Sequence, residues 1–488
     1  MQRHIRWLWA GLMLVLPISS FPPIARLIGV QSVAALAIVF LLLLFLLWFI
    51  PYLWRGGRLP AATVPLLVFV LAALLATLGS FLLPIPNFRD ISRGGAILEG
   101  LVTLAVGVSA YLLAASWPAQ KNDLAFLLRW LNYGGGILVL WSCAQAYYAL
   151  IAGGYPAWME TLQAAVSSSG QLYYRRVTGL AFEPSWLAHQ LNMIYLPWWL
   201  AATLRNTSAH GFRIWKLSLE NILLICGVAT LIASFSRVGW LAFLVVLAYV
   251  ILLASIKLVK WLQHQLSHRW TKQGWQIFGK TALPVLLSVA LIAVYAGMFL
   301  GAGYGLSRLD PRMRQLFDFQ TLRQEGFLMF ANRLVFAERI VFWQTGFEVF
   351  NDYPVLGVGI GNAGYFFPEK MPAFGYGLTE VSRLLFEQSN LPNTKALWSR
   401  LAAETGLVGL ALFLTWLFVL FRSGLALAQS HERDLQAVGL FGQLVIVGLL
   451  IEGFSLDTFA LPYYWLSLGF LTSGFRLWAD EGKPTEGT

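Results

Sequence analysis

Runs of apolar residues long enough to cross a bilayer constrain this chain more than anything else in it. Stretches of roughly 17 to 25 such residues recur at about 5–22, 29–53, 61–84, 96–116, 124–152, 184–203, 217–235, 238–258, 281–301, 401–421, 436–456 and 460–477. In hydrocarbon a backbone must satisfy its own polar groups, and a single segment does so only as a helix. The expected fold is therefore an all-α polytopic membrane protein of about twelve transmembrane helices. Composition agrees: 58% of residues are hydrophobic and 12% charged, with a mean hydropathy of +0.67. No soluble fold hides that much apolar surface. The net charge of +11 does not mark a nucleic-acid binder, because most basic residues sit in short loops between runs.

Those loops set the expected topology. Loops 54–60, 117–123, 204–216, 259–280 and 422–435 are basic, and both termini fall on their side. The positive-inside rule makes that side the cytoplasm of a plasma membrane. Loops 85–95 and 153–183, the 235–238 turn and the long polar segment 302–400 then face outward. Three regions follow: a bundle over 1–301, a large loop domain over 302–400, and the last spans with a tail over 401–488. The basic start, Met1 to Arg6, leads into an apolar stretch without a small-residue cleavage pattern and reads as the first span. Cys143 and Cys226 lie inside apolar runs and are expected as buried thiols outside any disulfide framework.

Outward-facing cations fall in three clusters: Arg175 and Arg176 before Glu183-Pro184-Ser185, Arg237 in the tight turn, and Arg333 and Arg339 in a stretch of helical spacing. A guanidinium is planar, always charged and matched to phosphate oxygens, so three clusters on one face favour a shared anion site over separate headgroup contacts. Gly357-x-Gly359-x-Gly361 lacks the parallel-sheet unit of a dinucleotide fingerprint and reads as a close backbone turn. Glu404 lies at the entrance of a span, either as a functional carboxylate or as partner to Arg400 one turn earlier. His189 reads as a buried, hydrogen-bonded structural residue. Glu452 and Asp457 are expected near the outer end of a span.

Taken together, Arg176-Val-Thr-Gly179 with Glu183-Pro184-Ser185, Ser236-Arg237-Val-Gly239-Trp240, Arg339-x3-Trp343, Tyr353-Pro354 through Gly361, and Leu401 through Gly409 resemble segments of the O-antigen ligase and O-antigen polymerase superfamily of bacterial membrane glycosyltransferases. The resemblance implies a GT-C-like bundle with a large periplasmic loop domain in the bacterial inner membrane. It implies transfer, with neither metal nor cofactor, from a glycan on undecaprenyl pyrophosphate to a hydroxyl of a lipid-linked glycan or of lipid A-core. Membrane lipids and other polysaccharide-assembly membrane proteins are the expected partners. Arg175, Arg176, Arg237, Arg333, Arg339 and Lys395 would bind pyrophosphate. Glu183 and Glu404 would serve as base candidates, with Glu338 behind them, and Lys395 and Arg339 would also act in catalysis. The chain departs from the family where many members carry a His-Asn pair: Lys395 and Ala396 stand there, and a protonated lysine acts as a point charge rather than a base. That departure leans the reading toward polymerase over ligase. A transporter of lipid-linked glycans is disfavoured by the absence of matched broken helices in the two halves, while an inactive assembly partner stays open because of Lys395.

Overall fold

The computed structural model describes residues 2–28, 35–269, 273–309, 336–387 and 390–481, with isolated positions between 320 and 332. It is almost wholly helical, and each apolar run of the sequence contains a helix. In chain order these are α1 (Gln2–Val15), α2 (Ala37–Trp54), α3 (Ala61–Leu82), α4 (Arg93–Ser116), α5 (Lys121–Ala152), α6 (184–205), α7 (Leu219–Ala233), α8 (Arg237–Arg269) and α9 (Gln273–Leu309). Then follow α10 (Ala337–Asp352), in the long polar segment, and α11 (Leu397–Leu427), α12 (Arg433–Glu452) and α13 (Tyr463–Glu481). Among the described residues seven helices are long and apolar enough to cross a membrane: α2, α3, α4, α5, the 237–262 part of α8, α11 and α12. Five of the twelve expected crossings fall short by that measure among the described residues: α1 and α7 are short, the described apolar part of α9 is Ile292–Gly305, and α6 and α13 are not apolar enough over 18 residues.

Residues 1–242 and 341–488 form one compact unit, and 243–340 a second. Within the second, α8 and α9 are tied by the Tyr295 hydroxyl, which donates to the Ala248 carbonyl at 2.9 Å. The first unit is cored by aromatic rings. Trp416 on α11 stacks on Trp465 of α13 at 5.3 Å, and Tyr111 of α4 meets Trp416 edge-on at 5.1 Å. All three are fully buried, and the Tyr111 hydroxyl pairs with Thr472 at 3.0 Å.

Helix α11 is broken at Gly406, whose φ of 63° and ψ of −166° are not helical. A break inside an apolar bundle frees backbone groups that water cannot reach, so they need protein partners. The segment 354–361 supplies them. Leu407 and Val408, which would donate to residues 403 and 404 in an unbroken helix, donate instead to the Pro354 and Val355 carbonyls at 2.8 and 3.2 Å. The released carbonyls of Ala403 and Glu404 accept from Val358 and Gly359 at 2.9 Å each. Close approach on this scale is why Gly357, Gly359 and Gly361 all have positive φ. A Cβ at these positions would collide with the backbone of α11, α3 and α4 respectively. The glycine-rich stretch is thus a backbone wedge among three helices, as a close turn.

The other end of this unit is held by charge pairs. Arg6 meets Asp123 at 2.6 Å, and Lys121 meets Glu432 at 2.6 Å. Deeper in, the fully buried Glu220 accepts from Asn132 at 2.8 Å, Ser208 at 2.7 Å and the Ala209 amide at 3.0 Å, so its charge is fully hydrogen-bonded. The cysteines correct one expectation: Cys143 is exposed and Cys226 half-buried, both as free thiols. In a bundle whose outward face is apolar, an apolar run does not by itself mean burial.

Gly406→Ala forces a Cβ into the Val355 carbonyl in a left-handed backbone. It is expected to lower the thermal midpoint of the detergent-solubilised protein sharply, or to abolish folded yield. Gly79→Ala, whose Cβ meets nothing within 4 Å, should shift that midpoint little.

Candidate functional site

Of the polar residues singled out by the sequence, Arg176, Glu183, Arg237, Glu404, Glu452 and Asp457 lie toward the end of the first unit where α6, α8 and α13 begin and α12 ends. Glu183 is the extended residue before α6, and Pro184 fills the first helical position, where its missing N–H costs nothing. Ser185 donates to the Glu183 carboxylate. Burial, with the Glu183 carboxylate adding and the Arg176 guanidinium opposing, pushes the Tyr173 phenol above its ordinary value, which puts these three side chains within electrostatic reach of one another.

The segment carrying both arginines is bonded to the turn that precedes Arg237. The Val177 amide donates to the Ala233 carbonyl at 3.0 Å, and Arg176 Nε to the Ser234 carbonyl at 3.2 Å. Arg176, Glu183 and the first residue of α8, Arg237, therefore sit on touching segments. Arg175 turns outward: it is exposed, its guanidinium lies 5.1 Å from the Tyr174 ring, and its φ is 57°. A left-handed backbone at a residue with a Cβ costs of order 1–2 kcal/mol. Lys395 shares that conformation, with a φ of 55°. It pairs with Glu380 at 3.0 Å and lies 5.7 Å from the Phe342 ring.

A buried network beneath the surface fixes these elements. Asn192, on the π-helical turn of α6, donates to the Gly239 carbonyl at 2.9 Å in the first turn of α8 and to Glu452 at 2.7 Å at the end of α12. His189 Nδ1 faces the other oxygen of Glu452 at 3.4 Å, as a buried structural histidine. Gly239 is required there, because a Cβ would strike Ala188 of α6. The 452–459 turn links this network to a second pair. Arg400 Nε donates to Glu404 at 2.9 Å and Nη1 to the Asp457 carbonyl at 2.7 Å, with the guanidinium 4.7 Å from the Phe459 ring. The Gly361 amide also acts on the Glu404 carboxylate. The expected pairing of Glu404 with Arg400 one turn earlier is present.

An O-antigen ligase family model matches residues 222–414. Over those residues the chain is similar to the O-antigen ligase family. No curated protein matches it. The family region includes Arg237, Arg339, Lys395 and Glu404, whereas Arg175, Arg176 and Glu183 precede it and Glu452 and Asp457 follow it. Arg339 lies in the first turn of α10, within the second unit, with Glu338 beside it. Arg333 lies outside the described residues. Asn192 was not among the residues singled out in the sequence, although buried amides such as Gln190 and Asn192 inside an apolar run are a signal in their own right.

Glu452→Ala should leave one N–H of the Asn192 amide, and His189, without an acceptor, a loss of about 1–3 kcal/mol per stranded buried group. The thermal midpoint should fall accordingly. Glu452→Gln keeps an oxygen for Asn192 and should stay nearer wild type, so equal falls for the two variants would contradict this account of the network.

Proposed function

We propose that the protein is a bacterial inner-membrane glycosyltransferase. It moves a glycan from undecaprenyl pyrophosphate to an acceptor hydroxyl on the periplasmic side, in the assembly of O-antigen or a related surface polysaccharide. The observation that carries the reading is the O-antigen ligase family region at 222–414, with Arg237 inside it and Arg176 and Glu183 on a segment bonded to the same turn.

The acceptor oxygen attacks C1 of the donor glycan, the C1–O bond to pyrophosphate breaks, and the departing group takes the electron pair. Because the leaving group is already good, the main need is preorganised positive charge where that charge develops. Arg176 and Arg237 supply it, with Arg175, Arg339 and Lys395 as further cations and Arg333 as the remaining sequence candidate. The transition state is oxocarbenium-like, so the acceptor needs only modest deprotonation. Glu183 takes that proton, being held by a serine hydroxyl, whereas Glu404 is committed to Arg400. No metal is needed where guanidinium groups neutralise the pyrophosphate.

Polymerisation is favoured over ligation because a lysine, itself paired with Glu380, stands where the ligase pattern has histidine. The family description names ligase, which keeps transfer to lipid A-core as the second reading.

The test is the surface-glycan profile of a deletion strain complemented with wild type, Lys395→Ala or Arg237→Ala. Single repeat units on lipid A-core in the deletion strain mean polymerase, and long polymer stranded on undecaprenyl pyrophosphate means ligase. Arg237→Ala is expected to cut transfer by roughly a hundredfold or more at normal expression, as for loss of one donor to a developing anion. An unchanged profile on deletion would overturn the proposal.

A further inference from the structure

The end of the first unit opposite the candidate site carries a feature that the proposed reaction does not use. Between α6 and α7 the chain forms a two-stranded hairpin, β1 (Arg213–Ile214) paired with β2 (Leu217–Ser218), turning through Trp215 and Lys216. Trp215 is 97% exposed and Phe212 68%. Beside the hairpin a cleft of about 230 Å³ is lined by Tyr133, His210, Phe212, Leu217, Leu219 and Ile222. Only two of those six side chains are polar.

The surroundings are those of a membrane–water interface. A chain of rings runs from Trp7 to Trp130 at 6.4 Å, to Tyr133 at 5.5 Å and to His210 at 5.1 Å. Amphipathic rings collect at headgroup level in this way. Cations lie on the same elements: Arg213 and Lys216 on the hairpin between the cleft residues Phe212 and Leu217, and the exposed Arg129 one turn before Tyr133, within electrostatic reach of His210. His210 Nε2 is buried with no hydrogen-bond partner among the described residues. The nearest acidic group, Glu220, is already committed to Asn132, Ser208 and Ala209. The loop is anchored from beneath, since Arg213 bonds Asn206 twice at 3.2 Å.

We propose that this hairpin and cleft form a binding site for an anionic phospholipid of the adjoining leaflet. Apolar chain enters the cleft beside Phe212 and Leu217, and the phosphate meets Arg213, Lys216 and Arg129. Charge complementarity selects this occupant, because each cation near an anionic surface adds attraction that a zwitterionic lipid does not return.

Native mass spectrometry of the full-length protein, purified in detergent with phosphatidylglycerol or phosphatidylcholine, counts the lipids retained. Wild type should retain phosphatidylglycerol preferentially. The Arg129→Gln/Lys216→Gln double variant should lose roughly tenfold in that retention with phosphatidylcholine unchanged, and Arg129→Lys/Lys216→Arg should keep it, which separates charge loss from misfolding. Equal retention of the two lipids by wild type, or undiminished phosphatidylglycerol on the double variant, would overturn the proposal. Displacement by millimolar inorganic phosphate alone would assign the site to free phosphate and overturn it too.

Discussion

Backbone hydrogen bonding in an apolar surrounding is the constraint on which the rest of the first unit depends. A continuous helix meets it locally. The break at Gly406 cannot, and the four groups it releases are taken up by residues 354, 355, 358 and 359, more than forty positions earlier. That exchange sews the start of α11 to the glycine-rich wedge, and the wedge to α3 and α4. Glu404 sits on the rim of the break, so the carboxylate is placed by the same event that interrupts the helix. An intramembrane break of this kind is tolerated because protein, and not lipid, lies against it.

The charges at that end follow a second rule, that a buried ion needs a partner. Glu452 has Asn192 and His189, and Glu404 has Arg400. These pairs join α6, α8, α11 and α12 at the level where Arg176, Glu183 and Arg237 emerge. Deep carboxylates therefore act as fasteners between helices. A fully partnered carboxylate has little left to give a substrate, and Arg176 is held in place by its Nε on the Ser234 carbonyl.

Much of this was legible in the sequence. Apolar runs located the helices because hydropathy reports the solvent a segment must face, and the helical spacing around Arg339 announced α10. Pro184 at the first position of α6 followed from its missing N–H. The glycine-rich stretch read as a turn, but its partners at Ala76, Ala96 and Ala403 are set by tertiary approach that no local pattern encodes. The same holds for the link between Asn192 and Glu452, residues 260 positions apart. Cys143 was misread because hydrophobicity marks the inside of a soluble protein but either face of a membrane helix. The hairpin at 213–218 is too short for any periodicity to declare it.

The most direct test of the central claim is a purified reconstitution: full-length protein in proteoliposomes with lipid-linked glycan repeat units, assayed for released undecaprenyl pyrophosphate and for new glycosidic linkage. The account predicts release matched to linkage formed, and loss of both in an Arg176→Ala/Arg237→Ala variant that still purifies folded. Glycan that crosses the bilayer with its pyrophosphate bond intact, and no released carrier, would contradict it.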